Sequence, residues 1–179
     1  ASFISYGLSP FFFVYAGKAF GIGPEAGLKV GLILAFSGAG GTIFGGMLSD
    51  WARKRHPSGR LFVVLFAMTG GMIFHYLMMT ATTFDKFLLF LAIGNGIHIM
   101  WLGPVAASTQ DLVLPRMRGT ATALFLLGTN VIGLGLGPYV TVLVSDVTGN
   151  LEFAMVSILC VYGLNFLLIF YAITRYPQM

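Results

Sequence analysis

The chain has 179 residues, of which 57% are hydrophobic and only 9% are Asp, Glu, Lys or Arg. A soluble domain covers its surface with about 25% charged residues, so water is excluded as the main solvent. The formal charge of +4 comes from ten basic and six acidic residues scattered through short gaps between apolar runs, which is a topology pattern rather than a nucleic-acid surface. Cys160 is the only cysteine, which excludes a disulfide framework and a thiolate metal site.

A helix needs roughly 20 apolar residues to cross a hydrocarbon core about 30 Å thick. Six stretches meet that need, at residues 1–17, 28–48, 61–80, 87–109, 120–144 and 153–174. The expected fold class is an all-α membrane protein, a six-transmembrane-helix bundle with the lipid bilayer as its surroundings. The chain opens at Ala1 already inside an apolar run, and a piece of a longer protein is expected.

In chain order, the first span carries Ser2, Tyr6 and Ser9 at i, i+4 and i+7, with Phe13 continuing the stripe. The second has a ladder of small residues, Ser37, Gly41, Gly45 and Ser49, which permits close backbone approach along one face. His75 on the third stands apart from other ligand-type residues and reads as structural; with no further His, Cys or carboxylate at suitable spacing, no metal is expected. On the fourth span Asn95, His98 and Trp101 share a broad sector. The fifth holds Thr129 and Asn130 mid-way, then Gly133, Gly135, Gly137 and Pro138, helix-weakening residues that predict a bend or a sliding contact. The sixth contributes Asn165.

Polar groups are costly in hydrocarbon and turn toward a partner or a wet cavity. Tyr6, Asn95, His98, Trp101 and Asn130 are therefore the candidate substrate-binding residues, with helix-to-helix hydrogen bonding as the competing role for each. No Asp or Glu sits at bilayer depth, so an ion-coupling carboxylate is expected elsewhere in the protein. The serines and His98 form no nucleophile and base set, and the glycine runs are not a phosphate-binding loop. An enzyme is not expected, nor is any cofactor. Of the ten basic residues, Arg53, Lys54, Arg55, Arg60, Arg116, Arg118 and Arg175 fall on one side and Lys18, Lys29 and Lys86 on the other. That asymmetry predicts both ends on the cytoplasmic side of a cell membrane.

After the second span the chain reads Gly45-Gly46-Met47-Leu48-Ser49-Asp50-Trp51-Ala52-Arg53-Lys54-Arg55. This resembles the Gly-x-x-x-Asp-Arg/Lys-x-Gly-Arg-Arg/Lys signature of the major facilitator superfamily. Gly46 and Asp50 match, Trp51 replaces the usual basic residue and Arg53 falls at the expected glycine. The stretch from Gly103 to Ala121, the run Asn130 to Pro138, and the opening Tyr6-Gly7 with Phe11-Phe12-Phe13 are similar to the second half of spinster-like members.

The resemblance implies one half of a major facilitator superfamily fold, whose first, second, fourth and fifth helices border the cavity or the moving interface while the third and sixth face lipid. It implies a secondary active transporter working by alternating access, paired with the other six-helix half. Its cargo would be an amphipathic lipid, such as a lysolipid, or a small organic solute, and Gly46, Asp50, Arg53 and Arg60 would form a conformational gate at the cytoplasmic end. An oligomeric six-helix channel or scaffold without carrier activity is the alternative.

Overall fold

In hydrocarbon every backbone N–H and C=O must find its partner within the protein, which leaves a single chain of apolar runs little choice but helices. The computed structural model describes residues 1–23 and 25–175, and its regular elements are all helical. These are α1 (Ser2–Leu8), α2 (Phe11–Phe20), α3 (Glu25–Arg55), α4 (Gly59–Met79), α5 (Phe84–Ile99), α6 (Leu102–Asp111), a 3₁₀ turn (Pro115–Met117), α7 (Arg118–Gly128), a π-helical segment (Thr129–Leu136), α8 (Gly137–Thr148) and α9 (Leu151–Arg175). Among the described residues five helical stretches are long and apolar enough to cross a membrane: Ala26–Arg55, Gly59–Met79, Phe84–Asp111, Pro115–Thr148 and Leu151–Thr174.

The first expected span differs from the other five. It is divided into α1 and α2, neither long enough to cross alone. Pro10 has no N–H to give to the turn before it, so the hydrogen-bond ladder is cut there. Ser9 (φ −57°, ψ −40°) and Pro10 (φ −64°, ψ −27°) nevertheless keep helical angles, so the joint is a kink and the path continues. The backbone nitrogen of Ala1 donates to Asn165 Oδ1 at 2.8 Å, which puts the start of α1 beside the interior of α9 rather than at its Arg175 end. At the other extreme α3 runs 31 residues and overshoots the expected 28–48 span, ending in Arg53, Lys54 and Arg55. Cations are favoured there by the unpaired carbonyls of a helix C-terminus.

Packing follows the small residues. Helix α3 lies along α5, α4 and α6; α4 lies against α5 and α9; and α1 is seated on the π segment, α8 and α9. Helix α4 buries Val64, Ala67, Met68, Gly71, His75 and Met78 while Phe62, Phe66, Met72, Ile73 and Tyr76 point outward, so it serves both the core and the lipid face. The predicted ladder meets α5 directly. A Cβ on Gly41 would collide with the Gly96 carbonyl, and one on Gly45 would lie 2.5 Å from Met100 O and 2.6 Å from Met100 Cα.

Both carbonyls are free to face α3 for a local reason. Met100 N–H turns back to Ile97 O at 3.2 Å, so Gly96 O loses its ordinary helix donor, and Pro104 has no N–H to offer Met100 O. The glycine Cα–H groups of α3 occupy the space where a side chain would stand, and weak Cα–H···O contacts of this kind recur at close helix crossings.

The contact sets two substitutions apart. Gly45→Ala drives a methyl into the Met100 backbone and is expected to destabilise by about 1–3 kcal/mol. Gly40→Ala on the same helix meets nothing within 4 Å and should be neutral or stabilising by up to about 1 kcal/mol through helix propensity. Thermal unfolding of the two variants in one detergent checks the opposite signs; equal melting temperatures contradict the contact.

Candidate functional site

A cavity of about 380 Å³ opens between the first, second, fourth and fifth spans. Its walls are Ser2, Ser5, Tyr6 and Ser9 from α1 and its kink, Leu34 and Gly38 from α3, Asn95, Ile99, Trp101 and Leu102 from the fourth span, and Leu126, Thr129 and Asn130 from the fifth. The third and sixth spans supply none of these residues. Four of the five candidate residues, Tyr6, Asn95, Trp101 and Asn130, thus stand around one space.

They are held in different ways. Asn95 is buried and its Nδ2 donates to Ser37 Oγ at 2.7 Å and to Leu34 O at 3.3 Å, tying α5 to α3. Asn130 is exposed, with Nδ2 bonded to Leu126 O of its own helix at 2.8 Å, so its carbonyl end is free to turn to the cavity. Trp101 is 6% exposed, edge-on to Phe125 at 6.4 Å, and its buried Nε1–H has no partner among the described residues.

Tyr6 stands over the fifth span where that span comes closest to α1. A Cβ on Gly133 would lie 2.8 Å from both Ser2 Cβ and Tyr6 Cδ2, and one on Gly137 would lie 2.9 Å from Gly7 N. Thr141 Oγ1 secures the crossing, within 2.9 Å of Gly7 O and 3.0 Å of Gly137 O. The expected irregularity of the fifth span is the π-helical segment itself, whose wider turns place Asn130 at the cavity and Gly133 on α1.

His98 does not line the cavity. It lies one layer behind, 1% exposed, with Nε2 2.8 Å from Ser5 Oγ and Nδ1 2.8 Å from Tyr162 Oη. The same Tyr162 hydroxyl is 3.0 Å from His75 Nδ1. His75, expected to stand alone on the third span, is therefore the inner end of a four-residue network contributed by α1, α5, α9 and α4. Ser5 and Tyr162 were not among the sequence candidates. The available signal was the shared mid-span depth of two histidines and a tyrosine, groups that rarely sit in hydrocarbon unless paired.

At the basic end of the bundle the charges centre on Asp111. Arg53 Nη1 and Arg60 Nη1 both donate to Asp111 Oδ2. Asp50, at the centre of the predicted gate, is largely exposed and among the described residues meets only Arg60 Nη2, at 3.8 Å. Gly46 has open space where a side chain would be. Trp51, standing where the signature has a basic residue, carries the Arg55 guanidinium 3.9 Å above its ring.

No protein-family model matches this sequence. Over 124 residues, 68% of the chain, it is 33% identical to an MFS-type efflux pump of Mycolicibacterium smegmatis, and the match takes in 28% of that pump. The chain spans well under half the length of this relative. The similarity points to a transporter of the major facilitator type. It agrees with the all-helical, multi-pass membrane bundle, whose layout is consistent with half of such a protein.

Asp111→Asn removes the one charge shared by two guanidinium groups, whereas Asp50→Asn removes a single long contact. Backbone hydrogen exchange across residues 50–60 is expected to rise clearly in the first variant and little in the second. An equal response in both would show that Asp111 does not organise this end.

Proposed function

We propose that this chain is the carboxy-terminal half of a spinster-like major facilitator transporter, which moves an amphipathic lipid or a small organic amphiphile by alternating access. The observation that carries the reading is the pooling of neutral polar side chains from the first, fourth and fifth spans around one cavity, with Leu34 and Gly38 of the second closing its wall. Alternating access needs a binding space whose walls belong to elements able to move against each other, and glycine-rich crossings without side-chain interlock allow such movement. The cavity wall holds hydroxyls, amides, an indole and aliphatic groups, with no carboxylate or ammonium among them. That chemistry suits an uncharged or zwitterionic head group attached to an apolar body.

The basic end, with Arg53, Lys54, Arg55 and Arg60, is assigned to the cytoplasm on the positive-inside rule. In that frame the Arg53–Asp111–Arg60 cluster, with Gly46 and Asp50 beside it, works as the cytoplasmic gate. The exposed apolar faces of α3 and of the fifth span, including Phe36 at 75% and Tyr139 at 63% exposure, are assigned to the other half of the transporter.

Two measurements test this. In the intact protein reconstituted in liposomes, Asn130→Ala and Tyr6→Phe should slow movement of a fluorescent lysolipid about tenfold, the effect of losing about one hydrogen bond at the rate-limiting state. Their melting temperatures should stay unchanged, whereas Asn95→Leu should lower both stability and rate. Parental rates in both cavity variants would end the assignment. For orientation, thiols introduced at Lys54 and Asn150, both exposed, in a Cys160→Ser background should react with an impermeant reagent from opposite sides of the membrane.

A further inference from the structure

We propose that His98, clamped between Ser5 and Tyr162, is a proton-binding site whose occupancy sets the hydrogen-bonding face that Ser5 shows to the cavity. The proposal rests on reading the cavity as a transport site and adds to it a coupling group in a chain with no carboxylate at bilayer depth. Ser5 lines the cavity, His98 and Tyr162 are almost wholly buried, and every link is 2.8–3.0 Å long.

Counting protons defines what the network can do. Tyr162 Oη has one proton to donate and meets two Nδ1 atoms, so one histidine must donate to it while the other accepts. With His98 neutral there are two arrangements. In one, Ser5 donates to His98 Nε2, His98 Nδ1–H donates to Tyr162, and Tyr162 donates to His75. In the other every direction is reversed and His98 Nε2–H donates to Ser5.

An added proton leaves a single arrangement. A hydronium ion in the cavity gives its proton to Ser5 Oγ as the Ser5 proton passes to His98 Nε2; water is left behind, and His98 becomes an imidazolium with both N–H groups bonded. Ser5 is then held as an acceptor toward His98, and its own proton is turned out to the cavity.

Among the described residues the path shows no second exit: His75 Nε2 is buried without a partner, and the groove outside Tyr162 is walled by Met68, Thr69, Met72, Gly163, Phe166 and Leu167, with the Thr69 hydroxyl turned back to Leu65 O, so a proton entering at Ser5 is stored rather than conducted. The ionisable side chains facing His98 are His75 from α4 and Tyr162 from α9. On its own helix the charges, Asp85 and Lys86, lie at the far end. Because protonation makes Ser5 a donor, a cargo that accepts a hydrogen bond there and the proton strengthen each other's binding, and linkage makes the effect mutual.

The test uses the intact protein in nanodiscs with ¹⁵N-histidine, the His98 signals being those lost in His98→Gln. Between about pH 8 and 4 both ring nitrogens of His98 should move together to the imidazolium position. Tyr162→Phe or Ser5→Ala, each removing one acceptor, should lower its proton affinity about tenfold, one pH unit. A parental His98 that stays neutral through the whole range overturns the proposal without recourse to any variant, and so does a titration that neither substitution moves. Lysolipid movement in liposomes separates the two readings. Titration of His98 without transport upholds the proton site and removes the carrier function, while transport with a non-titrating His98 does the reverse.

Discussion

Two backbones in contact, at Gly41 against Gly96 and Gly45 against Met100, set the geometry on which the rest of this bundle depends. Lipid tails are as apolar as leucine, so burial gives helices no reason to associate in a bilayer; close dispersion contact and polar pairing must do so. The approach is possible because α3 has no side chains there and because the end of α5 has turned its carbonyls out of their usual bonds. It brings Ser37 within reach of Asn95. It also directs the irregular turn at Met100 and Trp101 toward the space that the first and fifth spans enclose. Widening this crossing would move one cavity wall as a whole.

Polar side chains in the interior divide by what satisfies them. Asn95, Thr141 and Asn165 pin helices to one another and give the bundle a defined register. Ser5, His98, Tyr162 and His75 are bonded mainly to each other, through groups that can exchange donor and acceptor roles. A network of that kind holds four spans together as firmly as fixed pairs would, yet it has more than one internal state at the same heavy-atom positions. Structural and responsive polarity thus coexist within one bundle interior.

The spans were legible in the sequence because the bilayer imposes a single demand, length and apolarity, that composition reports directly. The α3 ladder was legible for the same reason: in lipid, small residues at every fourth position have few uses besides close packing. Pro10 stands in plain view between two apolar stretches, but an apolar count is blind to a missing N–H and read 1–17 as one helix. His75 and Tyr162 lie 87 positions apart, and no local pattern pairs them; only the crossing of α4 and α9 does. Asp111 was masked in the same way. Its partners Arg53 and Arg60 stand at the end of α3 and the start of α4, some 50 positions earlier in the chain, and sequence proximity favoured Asp50, whose side chain the fold leaves in the open.

The π-helical segment at Thr129–Leu136 has a consequence for the mechanics of the fifth span. A π turn holds more residues than an α turn, so this stretch is underwound relative to the helix on either side. Winding it back to α geometry would swing Asn130 and Gly133 around the axis relative to Thr141, which is anchored on α1. The fifth span is therefore a torsion element rather than a rigid rod. A change of winding within these eight residues would turn the two ends of the span relative to one another.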